Sequence, residues 1–321
     1  MPRTRAFTGG VRNLVLPGPL LFVLLFHTAL ALPSPVRSAP IVELDTIEFV
    51  SPSSPEPFVA PSALAVDHRG RFLVADAGRH VVMFFGQSGR FIDEFGGFGW
   101  EAGRFDGPSD LAVLQGFSIF VLDEGNRRVA RFDESGDFSD IAIGEGDAGT
   151  PVGVALGPAS ELYLVDSDTQ TVLVRSQFDE VLEPFGRFGS GEGGLVRPVD
   201  AAVGPGLILA VADAGREAVL VFDEFGAELA VATTSDTLEP SAVAFDRHGN
   251  LLVADRRRGR VVAFALPGGV PTAEARLAAA ADGFVPVSLS MDAAGDILVL
   301  DGETGDIARV RPVYSGRTGS R

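Results

Sequence analysis

The chain has 321 residues, no cysteine, 39 glycines and 21 prolines, and its 43 acidic against 26 basic residues, all of them arginine, leave a formal net charge of −17. Without cysteine, disulfides, thiolate nucleophiles and Cys-ligated zinc are excluded. The acidic balance argues against a nucleic-acid partner, because neutralisation of phosphates by basic side chains supplies most non-specific affinity.

In chain order, Arg3, Arg5 and Arg12 precede the apolar run LLFVLLFHTALA (Leu20–Ala31), which ends in the small-x-small pattern Ala29-Leu30-Ala31. This pattern predicts a signal peptide over 1–31. The run is short of the roughly 20 apolar residues that span a bilayer; the alternative is an uncleaved anchor extended back through Pro17 and Pro19. Either reading implies export to the periplasm or the extracellular space, with membrane contact only if the segment stays attached. A linker over 32–43 and an extended segment, Leu44–Val50 (LDTIEFV), follow.

A module then recurs six times, at Pro61–Asp76, Pro108–Asp123, Pro151–Asp166, Pro198–Asp213, Pro240–Asp255 and Pro286–Asp301. Each copy opens with proline, closes with aspartate 15 positions later and holds two apolar runs around a polar turn, the pattern of a β-hairpin. The hexapeptide VADAGR, at Val74–Arg79 and again at Val211–Arg216, is the end of one such hairpin and the loop beyond it. A third apolar run follows each aspartate and a weaker fourth follows in most copies, while the step between prolines varies as 47, 43, 47, 42 and 46. Four strands per repeat of this length predict propeller blades. The last copy lacks a fourth run, and Leu44–Val50 is the available substitute. The expected fold is therefore all-β: a six-bladed β-propeller over 44–314, four antiparallel strands per blade, closed by an N-terminal strand, with a mobile tail over 315–321 and a monomeric state.

The module, read as P-x-G-[VLI]-A-[VF]-D-x-x-G-x-[LI]-x-V-[AT]-D followed by N-x-R-[VI], resembles the NHL repeat, whose arrays form six-bladed propellers. The arginine five positions after the module aspartate is kept only as Arg128 and Arg260. Among similar folds, peptide amidating lyases use histidines around zinc, streptogramin lyases a histidine with a carboxylate and magnesium, and lactonase-type propellers carboxylates around a divalent cation. His68 and His248 fall in module turns and His80 in a second-to-third-strand loop, on opposite faces, a distribution that does not build a zinc centre.

Three sets of side chains stand out. The six module aspartates are expected to accept amides of their own turns. The second position after each module proline reads Ala63, Asp110, Gly153, Asp200, Ala242 and Ser288, so Asp110 and Asp200 are expected to face each other near the axis, as ligands for Ca²⁺ or Mg²⁺ or as caps of local backbone. Arg79, Arg127, Arg128, Arg216, Arg256, Arg257, Arg258 and Arg260 gather in the second-to-third-strand loops. These arginines either steer an acidic or anionic partner or pair with acids of neighbouring loops. Trp100, in the blade link FGGFGWEAGRFDG (Phe95–Gly107), joins them as a candidate anchor. The expected function is a non-enzymatic module presenting this face to a protein, peptide or glycan; the alternative is a metal-dependent lyase or lactonase at the axis.

Overall fold

A computed structural model describes residues 41–315 except 115, 117, 145, 177–180, 186–193, 267 and 278–282. The expected signal segment, most of the linker and the tail beyond Ser315 lie outside the described residues.

The described strands form six four-stranded antiparallel sheets, five of them simple meanders. In blade one the order is Pro61–Val66, Phe72–Asp76, Val81–Phe85 and Phe91–Gly96. The sixth sheet takes its outer strand from the other end of the chain: Ile41–Val50 pairs antiparallel with Ile307–Tyr314, from Ile41 opposite Tyr314 to Val50 opposite Ile307. This strand begins three residues before the expected Leu44. The closure joins the two ends of the sequence in one blade, which leaves no open seam for edge-to-edge pairing.

The second strand of each blade is an apolar run that ends in the module aspartate, and it is covered on both sides. Phe72–Asp76, Leu162–Asp166, Leu251–Asp255 and Ile297–Asp301 are buried at every position, the situation that produces continuous rather than alternating apolar runs. Six apolar clusters each join the facing sides of adjacent blades. Phe105 and Leu195, in the links that lead into blades two and four, are 0% and 3% exposed and join these clusters. Full burial of a phenylalanine contributes about 2–3 kcal/mol. At the centre, crowding selects small residues such as Ala63, Ala65, Ala112 and Ala242, all buried.

Every innermost strand carries the same irregularity. Each module proline lies opposite its module aspartate, but the next pair skips one residue, as where Pro108 faces Asp123 and Asp110 faces Leu122. A bulge of this kind re-aims side chains, and it acts at the position that holds Asp110, Asp200 and Ser288.

Candidate functional site at the axis and the loop face

The bulged position sets up a three-fold pattern of bonds between blades. The Val154 amide of blade three donates to Asp110 Oδ2 of blade two at 2.7 Å, and the Val243 amide of blade five donates to Asp200 Oδ2 of blade four at 2.8 Å. The Leu64 amide of blade one donates to Ser288 Oγ of blade six at 3.0 Å. The other oxygen of each aspartate accepts the next amide along its own strand, from Leu111 at 2.7 Å and Ala201 at 2.8 Å. Gly153 leaves room for this arrangement, since a Cβ there would lie 3.1 Å from Asp200 Cα.

Asp110 and Asp200 lie deep in the ring, and they interact. Burial pushes Asp110 up to about 7 against the opposing effect of its two amides. Asp200 is raised well above the usual carboxylate range, first by burial and then by the charge of Asp110. The pair fits a divalent cation poorly as it stands. Ca²⁺ and Mg²⁺ want six or more oxygens, each carboxylate oxygen here already accepts an amide, and no three His, Cys, Asp or Glu residues cluster as a ligand set among the described residues.

The module aspartates do more than cap their turns. Asp213 Oδ1 accepts the amides of Gly215 and Arg216 in its own turn and of Arg197 before the module, while Oδ2 accepts Val196. Asp76 does the same with Gly78, Arg79, Ala60 and Val59. Each aspartate thus fastens the incoming blade link to the outgoing loop. In blades two and five an arginine joins the clasp: Arg128 Nε donates to Asp123 at 2.9 Å and Arg260 Nε to Asp255 at 2.8 Å. The residue before that arginine position is left-handed in all six blades, at His80, Arg127, Gln170, Glu217, Gly259 and Gly305, which turns the chain sharply into the third strand.

Most of the loop-face arginines are engaged inside the fold. Arg79 pairs with Glu94 at 3.1 Å and Glu56 at 3.4 Å, and Arg216 bonds the Gly194 carbonyl. Arg258 meets Asp236 at 2.9 Å and the Thr237 carbonyl. Arg260 is buried and reaches Asp236 and Glu274 as well as Asp255. Arg127 also has a partner. The acids in these pairs are Glu56, Glu94, Asp123, Asp236, Asp255 and Glu274. Arg256 and Arg257 are exposed and stand apart from these pairs.

Arg128 also builds the site around Trp100. Its Nη atoms donate to the carbonyls of Trp100, Glu101 and Arg104 at 2.8, 3.3 and 2.7 Å, and Asn126 donates to the Gly99 carbonyl at 3.0 Å. The amides of Gly99 and Phe105 add bonds across the loop. The result is a fastened loop whose Trp100 and Phe98 side chains are 73% and 67% exposed. His80 supports it from below: its Nδ1 accepts the Gly107 amide at 3.0 Å and its ring meets Phe98 edge-on at 5.0 Å. His68 lies 3.7 Å from Glu134 and His248 lies against Tyr314, so the three histidines have separate surroundings.

Sequence reasoning missed Arg276. It lies at the end of the fourth strand of blade five, opposite Arg260 in register, and no repeat position marks it. It lines one cleft with Arg256, Arg257 and Arg258.

No family model matches the chain. A stretch of 131 residues, 40% of the chain, is 25% identical to the protein brain tumor of Drosophila melanogaster, of which the match covers 12%. Among solved structures, streptogramin B lyase is similar over 83% of this chain and 98% of its own, with a TM-score of 0.61 at 12% identity. A catalytically inactive histidine-to-alanine variant of virginiamycin B lyase from Staphylococcus aureus, with quinupristin, gives 0.61 at 11% identity over 84% and 89%. A Bacteroides thetaiotaomicron protein of unknown function gives 0.64 at 15% identity over 84% and 76%. At these identities the shared property is the fold, which hosts many unrelated functions. With its repeats and closure in view, the chain is a six-bladed β-propeller resembling the NHL-repeat propellers.

Proposed function

We propose that the chain is an exported, non-enzymatic binding module that receives a protein, peptide or glycan on its loop face. The observation that carries this reading is the 95–107 loop, where a network of main-chain bonds centred on Arg128 holds two largely exposed aromatic rings. An exposed ring in a mobile loop loses rotamer and backbone freedom on binding; a fastened ring has already lost it, so more of its contact energy appears as affinity. Aromatic and arginine side chains dominate binding hot spots, and both stand here on one face.

The experiment is a peptide and glycan array probed with wild type and Trp100→Ala, with unfolding midpoints measured alongside. The expected outcome is a ligand whose signal falls at least about ten-fold in the variant at an unchanged midpoint, as befits a hot-spot residue. Ligands that bind both proteins equally would remove the loop from the function.

A second reading rests on the axis. Carboxylates raised by burial, with Asp200 raised further by the charge of Asp110, are a recurrent property of functional sites, and they support a Ca²⁺- or Mg²⁺-dependent lyase or lactonase in which Asp110 and Asp200 hold the ion. Lactone or streptogramin turnover that requires the cation and disappears in Asp110→Ala/Asp200→Ala would put this reading first.

A further inference from the structure

In the link between blades one and two, residues 97–99 run beside Phe105. The Phe105 amide donates to the Gly97 carbonyl at 2.9 Å and the Gly99 amide to the Phe105 carbonyl at 3.0 Å. Gly99 is buried, while its chain neighbours Phe98 and Trp100 are exposed. Part of its cover is a charge: a Cβ on Gly99 would lie 2.5 Å from Glu101 Oε2 and 3.2 Å from Arg104 Cβ. Glycine, here at φ +153°, lets the carboxylate fold back onto the main chain. Successive Cα atoms are about 3.8 Å apart, so this carboxylate rests one residue away from each ring-bearing position.

The nearest cations are turned elsewhere. Arg104 lays its stem beside Gly99 and carries its head back along the link, where Nη1 donates to the Gly96 carbonyl at 2.6 Å and lies 2.5 Å from a Cβ placed on Gly97. Arg128 gives its Nη atoms to three carbonyls and its Nε to Asp123. Glu101 is exposed and, among the described residues, in no ion pair. Two further carboxylates border the link: Asp106, 45% exposed and 3.9 Å from His80 Nδ1, and exposed Glu124, whose amide donates to the Gly107 carbonyl.

Exposed aromatic rings beside a carboxylate, on a chain of net charge −17, are complementary to a cation. A guanidinium fits best, because it stacks flat on an aromatic ring and donates two parallel hydrogen bonds to a carboxylate. An anionic ligand would meet Glu101, and a neutral sugar would cover the rings and leave the charge unanswered. We infer that Phe98, Trp100 and Glu101 together receive an arginine side chain of a basic peptide segment. The inference deepens the loop-face reading above and rests on it. The overall negative charge draws such a segment from a distance, and affinity falls with added salt.

Trp100 is the chain's single tryptophan, so its fluorescence reads the site directly. The probe is an eight-residue peptide alternating arginine and serine, with a glutamine-for-arginine counterpart. Proteins are wild type, Glu101→Gln and, as a control for general charge attraction, Glu228→Gln on the outer strand of blade four, each checked for its unfolding midpoint. The expected result is a saturable change in Trp100 emission with the arginine peptide, at least about ten-fold weaker for the glutamine peptide and for Glu101→Gln, and unaltered in Glu228→Gln. Equal binding of the two peptides, no saturation up to about 1 mM arginine peptide, or equal losses in the two variants overturns the inference. A neutral or acidic array ligand lost in Trp100→Ala but kept in Glu101→Gln also overturns it, and leaves the loop-face reading standing. Array ligands that bind wild type and Trp100→Ala equally remove that reading, and this inference with it.

Discussion

Asp166 on the loop face and Asp110 at the axis are both carboxylates withdrawn from water by the same repeated module, and they are pushed in opposite directions. Burial raises both. Asp166 is nevertheless held below the usual range, because the amides of Gly149, Thr150, Asp168 and Thr169 all point at it. Asp110 receives only two amides, so burial prevails and it rises to about 7. What decides the outcome is the number of donors that converge against the charge removed from solvent. The same residue type thus serves as an ionised clasp where the second strand ends, opposite the module proline, and as a raised bridge between blades at the bulge one step further along the innermost strand.

The largest expected effect tests the clasp. Asp166→Ala leaves four amides without their acceptor, and each buried, unsatisfied donor costs about 1–3 kcal/mol, so a loss of roughly 4 kcal/mol or more in denaturant unfolding is expected. A loss below about 1 kcal/mol would mean that water replaces the carboxylate, and the distinction between clasp and bridge would collapse.

The next effect is a pH dependence of opposite sign at the two positions. A carboxyl lowered on folding contributes stability that is present above its unfolded pKa and lost as pH falls through the folded value; Asp166 therefore acts only on the acid side. Asp110 and Asp200 are raised, so between about pH 4 and pH 7 the folded chain keeps protons that the unfolded chain has released. Stability must fall as pH climbs through that window, by an amount on the order of 3 kcal/mol for Asp110. Thermal unfolding of wild type from pH 4.5 to 8, compared with Asp110→Asn/Asp200→Asn, measures it: the wild-type midpoint should decline and the variant's decline should be much smaller. A flat wild-type profile would show that the two carboxylates ionise freely, and would move them toward the cation-binding reading.

The blades were legible in the sequence because the module repeats, and repetition turns six weak hairpin signals into one strong one. Closure by the N-terminal strand followed from the missing fourth run. The importance of the position held by Asp110, Asp200 and Ser288 was also legible, since alternate blades carry polar residues there. Their bonds across the blade boundary were hidden, because the bulge that re-aims them leaves no mark in the letters. Arg128 shows the same limit. Its repeat position was visible, whereas its grip on three carbonyls of the Trp100 loop depends on a link of variable length that no repeat specifies. Arg276 lies outside the module altogether and meets the other arginines only through strand register.

The smallest expected effect concerns RRRGR at 256–260, where neighbouring arginines have opposite fates. Arg260 is buried among three carboxylates, while Arg256 and Arg257 are exposed beside it. Surface substitutions away from packed or paired groups change stability by less than about 0.5 kcal/mol, so Arg256→Ala and Arg257→Ala should leave denaturant unfolding unchanged within that margin. A loss above about 1 kcal/mol in either would show that the guanidinium belongs to the fold, as those of Arg128 and Arg260 do. An unchanged midpoint would instead leave two exposed cations on an acidic protein, an arrangement that stability does not explain.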